Sequence, residues 1–595
     1  SFCFRLKKTL ISSINLINLF LIIILIILIA TLPFPIKMSP YKELNQTLNY
    51  EQAKTEETQW NSFSRVDVVD SPYVRYAPGL SSQFKGNLPE QKGVTIDGTN
   101  LNAITKKQDL EFLNYLPTSI PFSLLEKPKT LVLNAGAGLD VLIALKNEAP
   151  VTAVESNPII IDLLKTKYRE FSGNIFSQAQ VVHDEGRSFI KKVGEYDTII
   201  VSLAGQLTSS TGLYSMAENY LFTKESFQDY YKHLTEDGIL VITRWLTYPP
   251  KESLRLFSLA NTVPQAESKI VMFRSWTTVT LLVGKNDLSQ ERINKITEFT
   301  EQNNFDLIYL PQTDFTPNQY AQFEEPYYYN AVQQIKENKQ QFYHNYLFDV
   351  SPPTDEKPFY FNFFKWSKIK ELYHLIGTKW QPFLDSGFLL VFLFIQAVIL
   401  SLVLILLPLK FFKKLPLKKT PLIYFLSLGL GYLFIQIVLI QKFILFLGQV
   451  MYAMSVVIFA MLLFSSLGSL VSQKYSIRKL PRIISVLAVL IIVYLLILPI
   501  IFDNLITYSL TAKIIFSVLI ISPLAFLMGM PFPLGLRAIN QPLIPWAFAV
   551  NGSASVLSTI IAVLIALSAG YSFVLVLAAF VYLVGMVFIK TTASP

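Results

Sequence analysis

Seven apolar runs fill the chain after residue 385, near 386–409, 421–444, 449–472, 483–502, 513–535, 546–568 and 571–589. At about 1.5 Å of rise per residue, each is long enough to cross roughly 30 Å of hydrocarbon as an α-helix. Lipid offers no partner for backbone N–H and C=O groups, so only a segment that satisfies them internally can pass through it. This part of the chain is therefore restricted to a helical bundle. An earlier run, residues 10–31, follows Arg5, Lys7 and Lys8 and reads as an anchor or a first span, being too long for a plain signal peptide. Ser1 in place of a methionine points to a trimmed or incomplete amino-terminus.

A formal net charge of +9 invites a nucleic-acid reading, but its distribution argues otherwise. Residues 32–385 hold 35 Lys and Arg against 41 Asp and Glu, whereas the remainder holds 16 against 1. The excess belongs to membrane flanks and makes the lipid bilayer the partner, with no nucleic acid. Lys410, Lys413, Lys414, Lys418, Lys419, Lys474, Arg478, Lys479, Arg482, Arg537 and Lys590 share the amino-terminal side, and the opposite flanks hold only Lys442 and Lys513. The expectation is a multi-pass plasma or inner membrane protein with both termini cytoplasmic and its soluble domain extracytoplasmic. One cysteine, Cys3, and four histidines without ligand spacing leave little room for a disulfide framework or a Cys/His metal site.

Within the soluble stretch, the order from Thr130 is strand, glycine turn, helix, strand: LVLNAGAGLDVLIALKNEAPVTAVESNP. Leu131 to Leu133 suit a strand buried on both faces, and the turn Asn134-Ala135-Gly136-Ala137-Gly138 lets backbone approach a ligand. The second strand ends in Glu155, a carboxylate able to accept both ribose hydroxyls. The pattern is a nucleotide-binding half of an α/β sheet. Asn134 stands at the usual first glycine, and Asn is the non-glycine residue most tolerant of positive φ. A strand ending in Val181-Val182 precedes His183-Asp184-Glu185-Gly186-Arg187; Tyr196 to Val201 and Gly238 to Ile242 supply further strands, with a helix after Leu221 to Phe227.

This ordering, led by Gly93-Val94-Thr95-Ile96-Asp97-Gly98, resembles the spermidine synthase superfamily over roughly residues 60–285. A narrower likeness, to membrane-bound spermidine synthase-like proteins, runs through Arg75 to Leu80, Gly212 to Ser215, Glu218-Asn219-Tyr220, Thr243-Arg244-Trp245, Pro326 to Tyr329 and Thr354 to Phe359. It continues at Leu439 to Phe443, Gly529 to Pro533 and Trp546 to Gly552. The resemblance implies a Rossmann-like domain of the spermidine synthase or methyltransferase type joined to a polytopic α-helical membrane domain. It also implies S-adenosylmethionine or decarboxylated S-adenosylmethionine as cofactor, held by Gly136, Gly138 and Glu155, with Glu185 or Asp184 and then Gly186 at the adenine edge. The alternative reading of either acid is a helix cap. True spermidine synthases resemble one another in an acidic segment after the strand matching Ile199 to Val201, where an Asp helps deprotonate the amine; this chain reads Ser202-Leu203-Ala204-Gly205. A protonated amine needs a base, so classical aminopropyl transfer is disfavoured. Tyr214, Glu218 and Asn219 remain as polar catalytic candidates, with Glu218 open between a general base and a structural hydrogen-bonding role.

The expected layout is an anchor (1–31), a β-rich leading region (32–125), a Rossmann-like domain (126–285), an α+β extension (286–384) and a seven-helix membrane domain (385–595). Two functions compete: a transferase acting on a membrane-associated or exported substrate, and a catalytically degenerate binding or assembly subunit with membrane-protein partners. In the membrane, Lys442 is read as snorkelling to the interface, and Gln436, Gln441 and Asn551 as costly polar groups. The run Met530-Pro531-Phe532-Pro533 is read as breaking a helix, either to line a pocket or to end the span.

Overall fold

A computed structural model of the protein describes residues 20–25, 27–28, 38–192, 194–203, 217–311, 315–317, 320–321, 323–376, 389–412 and 420–590. Of the run 10–31, the described residues 20–25, 27 and 28 are helical.

The chain first makes a four-stranded antiparallel sheet in sequential order from β1 (Lys54–Trp60), β2 (Arg65–Asp70), β3 (Gln91–Ile96) and β4 (Thr99–Thr105). The β3–β4 turn is Asp97-Gly98, both at positive φ (53° and 70°), the chemistry of the tight hairpin whose twist matches its strands.

The second sheet has eight strands in the order β12-β10-β11-β9-β8-β5-β6-β7, from β5 (Thr130–Leu133), β6 (Val151–Glu155), β7 (Gln180–His183), β8 (Tyr196–Val201), β9 (Leu234–Trp245), β10 (Ile270–Arg274), β11 (Thr278–Gly284) and β12 (Asp306–Tyr309). β5, β6, β7, β8 and β9 pair in parallel, and β9, β10, β11 and β12 continue antiparallel. Every residue of β5 is buried, as expected of a parallel strand covered on both faces. Helices α1 (Leu139–Lys146), α2 (Pro158–Lys165), α3 (Gly186–Ile190), α4 (Lys224–Lys232) and α5 (Glu252–Ala260) connect these strands.

Among the described residues, seven helices long and apolar enough to cross a membrane follow: α6 (Leu389–Phe411), α7 (Thr420–Leu447), α8 (Val450–Ser472), α9 (Ile477–Leu505), α10 (Leu510–Leu536), α11 (Gln541–Ala569) and α12 (Tyr571–Ile589). They match the seven apolar runs. α7 is the central one, with 61% of its apolar window buried against 11–39% for the others. Small residues permit that burial: a Cβ on Gly429 would fall 2.5 Å from the Asn551 carbonyl, and one on Gly431 2.6 Å from the Tyr582 ring. Several polar side chains of the bundle bond neighbouring backbone, whereas Gln441 Oε1 is buried without a hydrogen-bond partner among the described residues. Asn551 Nδ2 donates to Phe425 O (3.0 Å), Arg537 Nη2 to Ser472 O (2.7 Å), and Tyr424 O–H to Pro531 O (2.6 Å) where the proline run interrupts α10.

The soluble domain sits on the end of the bundle formed by the carboxyl ends of α7, α9 and α11 and the amino ends of α8, α10 and α12. The basic segments Lys474–Arg482 and Arg537 lie at the opposite helix ends. Several hydrogen bonds and ion pairs among the described residues hold it there, including Tyr220 O–H to Gln441 O (3.2 Å) and Tyr571 N to Glu356 O (3.2 Å). Glu356 accepts from Lys442 Nζ of α7 (2.7 Å) and from Ser572 Oγ and N of α12 (2.6 and 2.9 Å). Lys357 Nζ donates to Ser568 O of α11 (2.6 Å), Lys191 pairs with Asp503 of α9 (3.1 Å), and Tyr571 O–H donates to Glu218 Oε1 (2.7 Å).

Candidate functional site

The carboxyl ends of β5, β6 and β7 bring the expected nucleotide residues together. Asn134 takes φ 56°, Gly136 φ 54° and Gly138 φ 90°, so the turn needs residues at home in left-handed space. A Cβ would also crowd neighbouring side chains, lying 2.6 Å from Asn102 Nδ2 at Gly136 and 2.4 Å from Ile175 Cδ1 at Gly138, so that those side-chain ends would have to shift. Glu155 is buried, and its two oxygens accept from Gly136 N and Asn157 N, each at 2.8 Å. It thus clamps the glycine turn to the start of α2 while each oxygen keeps a lone pair for a ligand hydroxyl. Burial holds this carboxyl above the usual carboxylate range, despite the backbone donors that pull it down. Asn157 caps α2 through its side chain and also bonds Asn61 and Ser64 of the β1–β2 turn, anchoring the leading sheet beside the site.

At the end of β7 the two acids differ. Glu185 caps α3, its Oε2 accepting from Ser188 N (2.8 Å), and burial raises its pKa. Asp184 pairs with Lys192 (2.9 Å). Both line a cavity of about 310 Å3 that begins at Ser156, next to Glu155, and is closed on its far side by the ends of the membrane helices. Gly186, the first residue of α3, packs behind, where a Cβ would approach Leu221 to 3.2 Å.

Among the described residues, the catalytic candidates Glu218 and Asn219 do not lie in that cavity. Tyr214 lies outside the described residues. Glu218 is half-buried and serves as the Tyr571 hydroxyl's acceptor, and Asn219 caps its own turn through Leu221 N (3.0 Å) while its N–H donates to Pro358 O (2.7 Å). Glu218 therefore bonds across to the bundle, and Asn219 ties its turn to the segment that carries Glu356 and Lys357. Lys442, read from the sequence as snorkelling, is instead paired with Glu356; 86 residues of separation hid the partner.

One carboxylate that sequence reasoning passed over lies beside the glycine turn. Asp140, on the first turn of α1, is buried and accepts from Ser202 Oγ (2.5 Å), just beyond β8 where the expected acidic segment is missing. Burial raises its pKa. The available signal was an acid inside the otherwise apolar LDVLIALK helix.

A second joint follows from the Lys442–Glu356 pair. Burial pushes the Glu356 carboxyl up, but Lys442 and Ser572 outweigh it and hold the group below the usual range. A depressed carboxylate stabilises the folded chain above its unfolded pKa, and that contribution is lost as pH falls through the folded value. Because the Glu356 side chain is 45% exposed, the pair is screened. A double-mutant cycle with Lys442→Met and Glu356→Gln, read by thermal unfolding in detergent at neutral pH, is expected to give a coupling of about 1 kcal/mol or less. The coupling should vanish below the ordinary carboxylate range.

A mainly parallel sheet carrying a glycine turn and an acid at successive strand ends, behind a leading antiparallel sheet, defines a spermidine synthase-like fold; seven apolar helices give it a membrane-bound form. The chain is similar to the polyamine aminopropyltransferase of Clostridium botulinum, 28% identical over 189 residues, covering 31% of this chain and 57% of that protein. It is also similar to the polyamine aminopropyltransferase of Alkaliphilus oremlandii, 31% identical over 155 residues, covering 25% of this chain and 51% of that one. The chain thus spans about half the length of the curated relatives it matches. No family model matches it. Among solved structures, it is similar to spermidine synthase from Thermotoga maritima (16% identity, TM-score 0.30, 44% of this chain and 81% of that chain). It is likewise similar to a probable spermidine synthase from Corynebacterium glutamicum (14% identity, TM-score 0.31, 41% and 86%).

Proposed function

We propose that the protein is a membrane-bound transferase that binds an S-adenosylmethionine-type nucleoside and passes a group from it to a membrane-associated or exported substrate. The observation that carries this is the Glu155 clamp on a glycine turn held in left-handed backbone, next to a cavity at the strand ends. In this reading the Gly136–Gly138 backbone and Glu155 hold the sugar end, and Asp184 or Glu185 faces the base. When bound, such a cofactor supplies an electrophilic carbon beside its sulfonium. The chain's own residues orient the two reactants and exclude water, work that depends chiefly on positioning. The basic loops favour a cytoplasmic location for both termini, with the soluble domain on the other side.

Equilibrium binding of S-adenosylmethionine to the detergent-purified chain tests the reading. Wild type is expected to bind saturably and Glu155→Gln to lose about tenfold or more in affinity, since an acceptor shared between two backbone N–H groups and a ligand becomes part donor. Affinity should also fall on acidification, beginning above the ordinary carboxylate range, because Glu155 accepts as an anion and its pKa is raised. A group with a raised folded pKa favours the folded chain as pH falls and loses that contribution as pH rises, so Glu155 itself does not turn the loss of binding into unfolding. The competing reading, a binding or assembly subunit without chemistry, draws on Ser202-Leu203 in place of the acidic segment. A folded wild type that binds no nucleoside would leave it in front.

A further inference from the structure

We infer that the membrane helices complete the base-binding half of the nucleoside site, an inference that rests on the nucleotide reading above. The cavity starts at Ser156 and runs along His183, Asp184 and Glu185, with Phe63 of the β1–β2 turn and Lys192 after α3 also on the soluble side. Facing it are Leu447, Gly448 and Gln449 of the α7–α8 turn, Tyr452 of α8, and Tyr508 to Leu510 and Lys513 at the start of α10. At about 310 Å3, the space falls at the lower end of the roughly 300–1,000 Å3 typical of small-molecule pockets.

The closure is tight where it matters. Gly448 turns the chain at φ +79°, and a Cβ there would stand 3.4 Å from Glu185 Cβ, so the membrane turn meets the cap of α3 at van der Waals distance. On the far side of α3, Lys191 pairs with Asp503 at the end of α9 and fixes the same helix against the bundle. The membrane wall brings the chemistry a flat, amine-bearing base requires: two phenol rings for its faces (Tyr452, Tyr508) and amide and hydroxyl groups (Gln449, Ser509), opposite carboxylates that accept from an exocyclic amine. Lys513 is buried in this wall with its ammonium 5.6 Å from the centre of the Phe446 ring. Recognition of the base is therefore shared between the soluble sheet and two membrane turns, and affinity depends on their being docked.

Two measurements on the full-length protein test this. Photolabelling with an 8-azidoadenosyl analogue of S-adenosylmethionine, competed by unlabelled S-adenosylmethionine, is expected to mark peptides spanning 447–452 or 508–513 as well as 183–188. In equilibrium binding, Tyr452→Ala is expected to weaken S-adenosylmethionine about tenfold, the scale of one aromatic ring against a base, with an unchanged unfolding midpoint. Competed label confined to soluble-domain peptides, or Tyr452→Ala within about twofold of wild type, overturns the inference and leaves the nucleotide reading standing. A folded wild type that binds neither probe overturns the nucleotide reading, and the inference with it.

Discussion

Replacing Arg255 by alanine is expected to cost about 3–5 kcal/mol of folding stability, the scale of removing one partner from a buried charged network. Arg255 projects from α5 and is 2% exposed. Its Nη1 donates to the carbonyls of Phe359 (3.1 Å), Tyr360 (2.7 Å) and Asn362 (2.7 Å), and its Nη2 to the carbonyl of Asp349. The guanidinium also lies 4.5 Å from the centre of the Phe363 ring. Without it, the carbonyls of Tyr360, Asn362 and Asp349 lose their guanidinium donor beside a cavity that Arg255 lines, while Phe359 O keeps the Asn362 N–H; each unsatisfied carbonyl is worth about 1–3 kcal/mol, and partial relaxation brings the sum to the stated range. The segment they belong to carries Glu356 and Lys357, so the loss should also loosen the soluble domain from the bundle. Unfolding in detergent, with limited proteolysis between residues 340 and 370, measures both effects. Arg255→Lys should recover only part of the loss, because a point ammonium cannot reach carbonyls arranged for a planar fork. Arg75→Ala is the control: that guanidinium bonds two carbonyls from an exposed position, and stability should hold.

The second large effect is expected at the crossing of α8 and α10. A Cβ on Gly468 would fall 1.9 Å from Phe526 O, and one on Gly529 would fall 1.9 Å from Ser465 O. Each glycine thus faces the carbonyl three residues before the other, and the two backbones touch. Lipid gives helices no hydrophobic reason to associate, so this close approach is what their packing rests on. Backbone cannot yield as a side chain does. Gly468→Ala or Gly529→Ala should cost about 1–3 kcal/mol, as overpacking does. Valine at either position should separate the helices, seen as loss of a monodisperse species on gel filtration. Gly552→Ala, with nothing within 4 Å of its Cβ, should be neutral.

These sites also mark what could and could not be seen in the sequence. The seven spans were legible because hydropathy over some twenty residues is set by bilayer thickness, a local requirement. The nucleotide half-sheet was legible because a buried strand, a left-handed turn and an acid follow one another within 26 residues, from Thr130 to Glu155. Asn134 even takes the positive φ for which asparagine is suited. The partners of Arg255, 94 to 107 residues away, and of Lys442, 86 residues away, were not legible, since no periodicity encodes a contact between distant segments. Asp140 was missed for a different reason: a single acid in an apolar helix has no pattern until Ser202 is brought beside it.

The ties between the soluble domain and the bundle fall on α7, α9, α11 and α12, at Lys442, Asp503, Ser568 and Ser572. A body fastened at points that do not share a line can neither rock nor swivel on its support. It moves only as its footings move. Any sliding of α9 against α12 must then tilt the whole sheet or break a tie, and a tilt of the sheet must shear those helices.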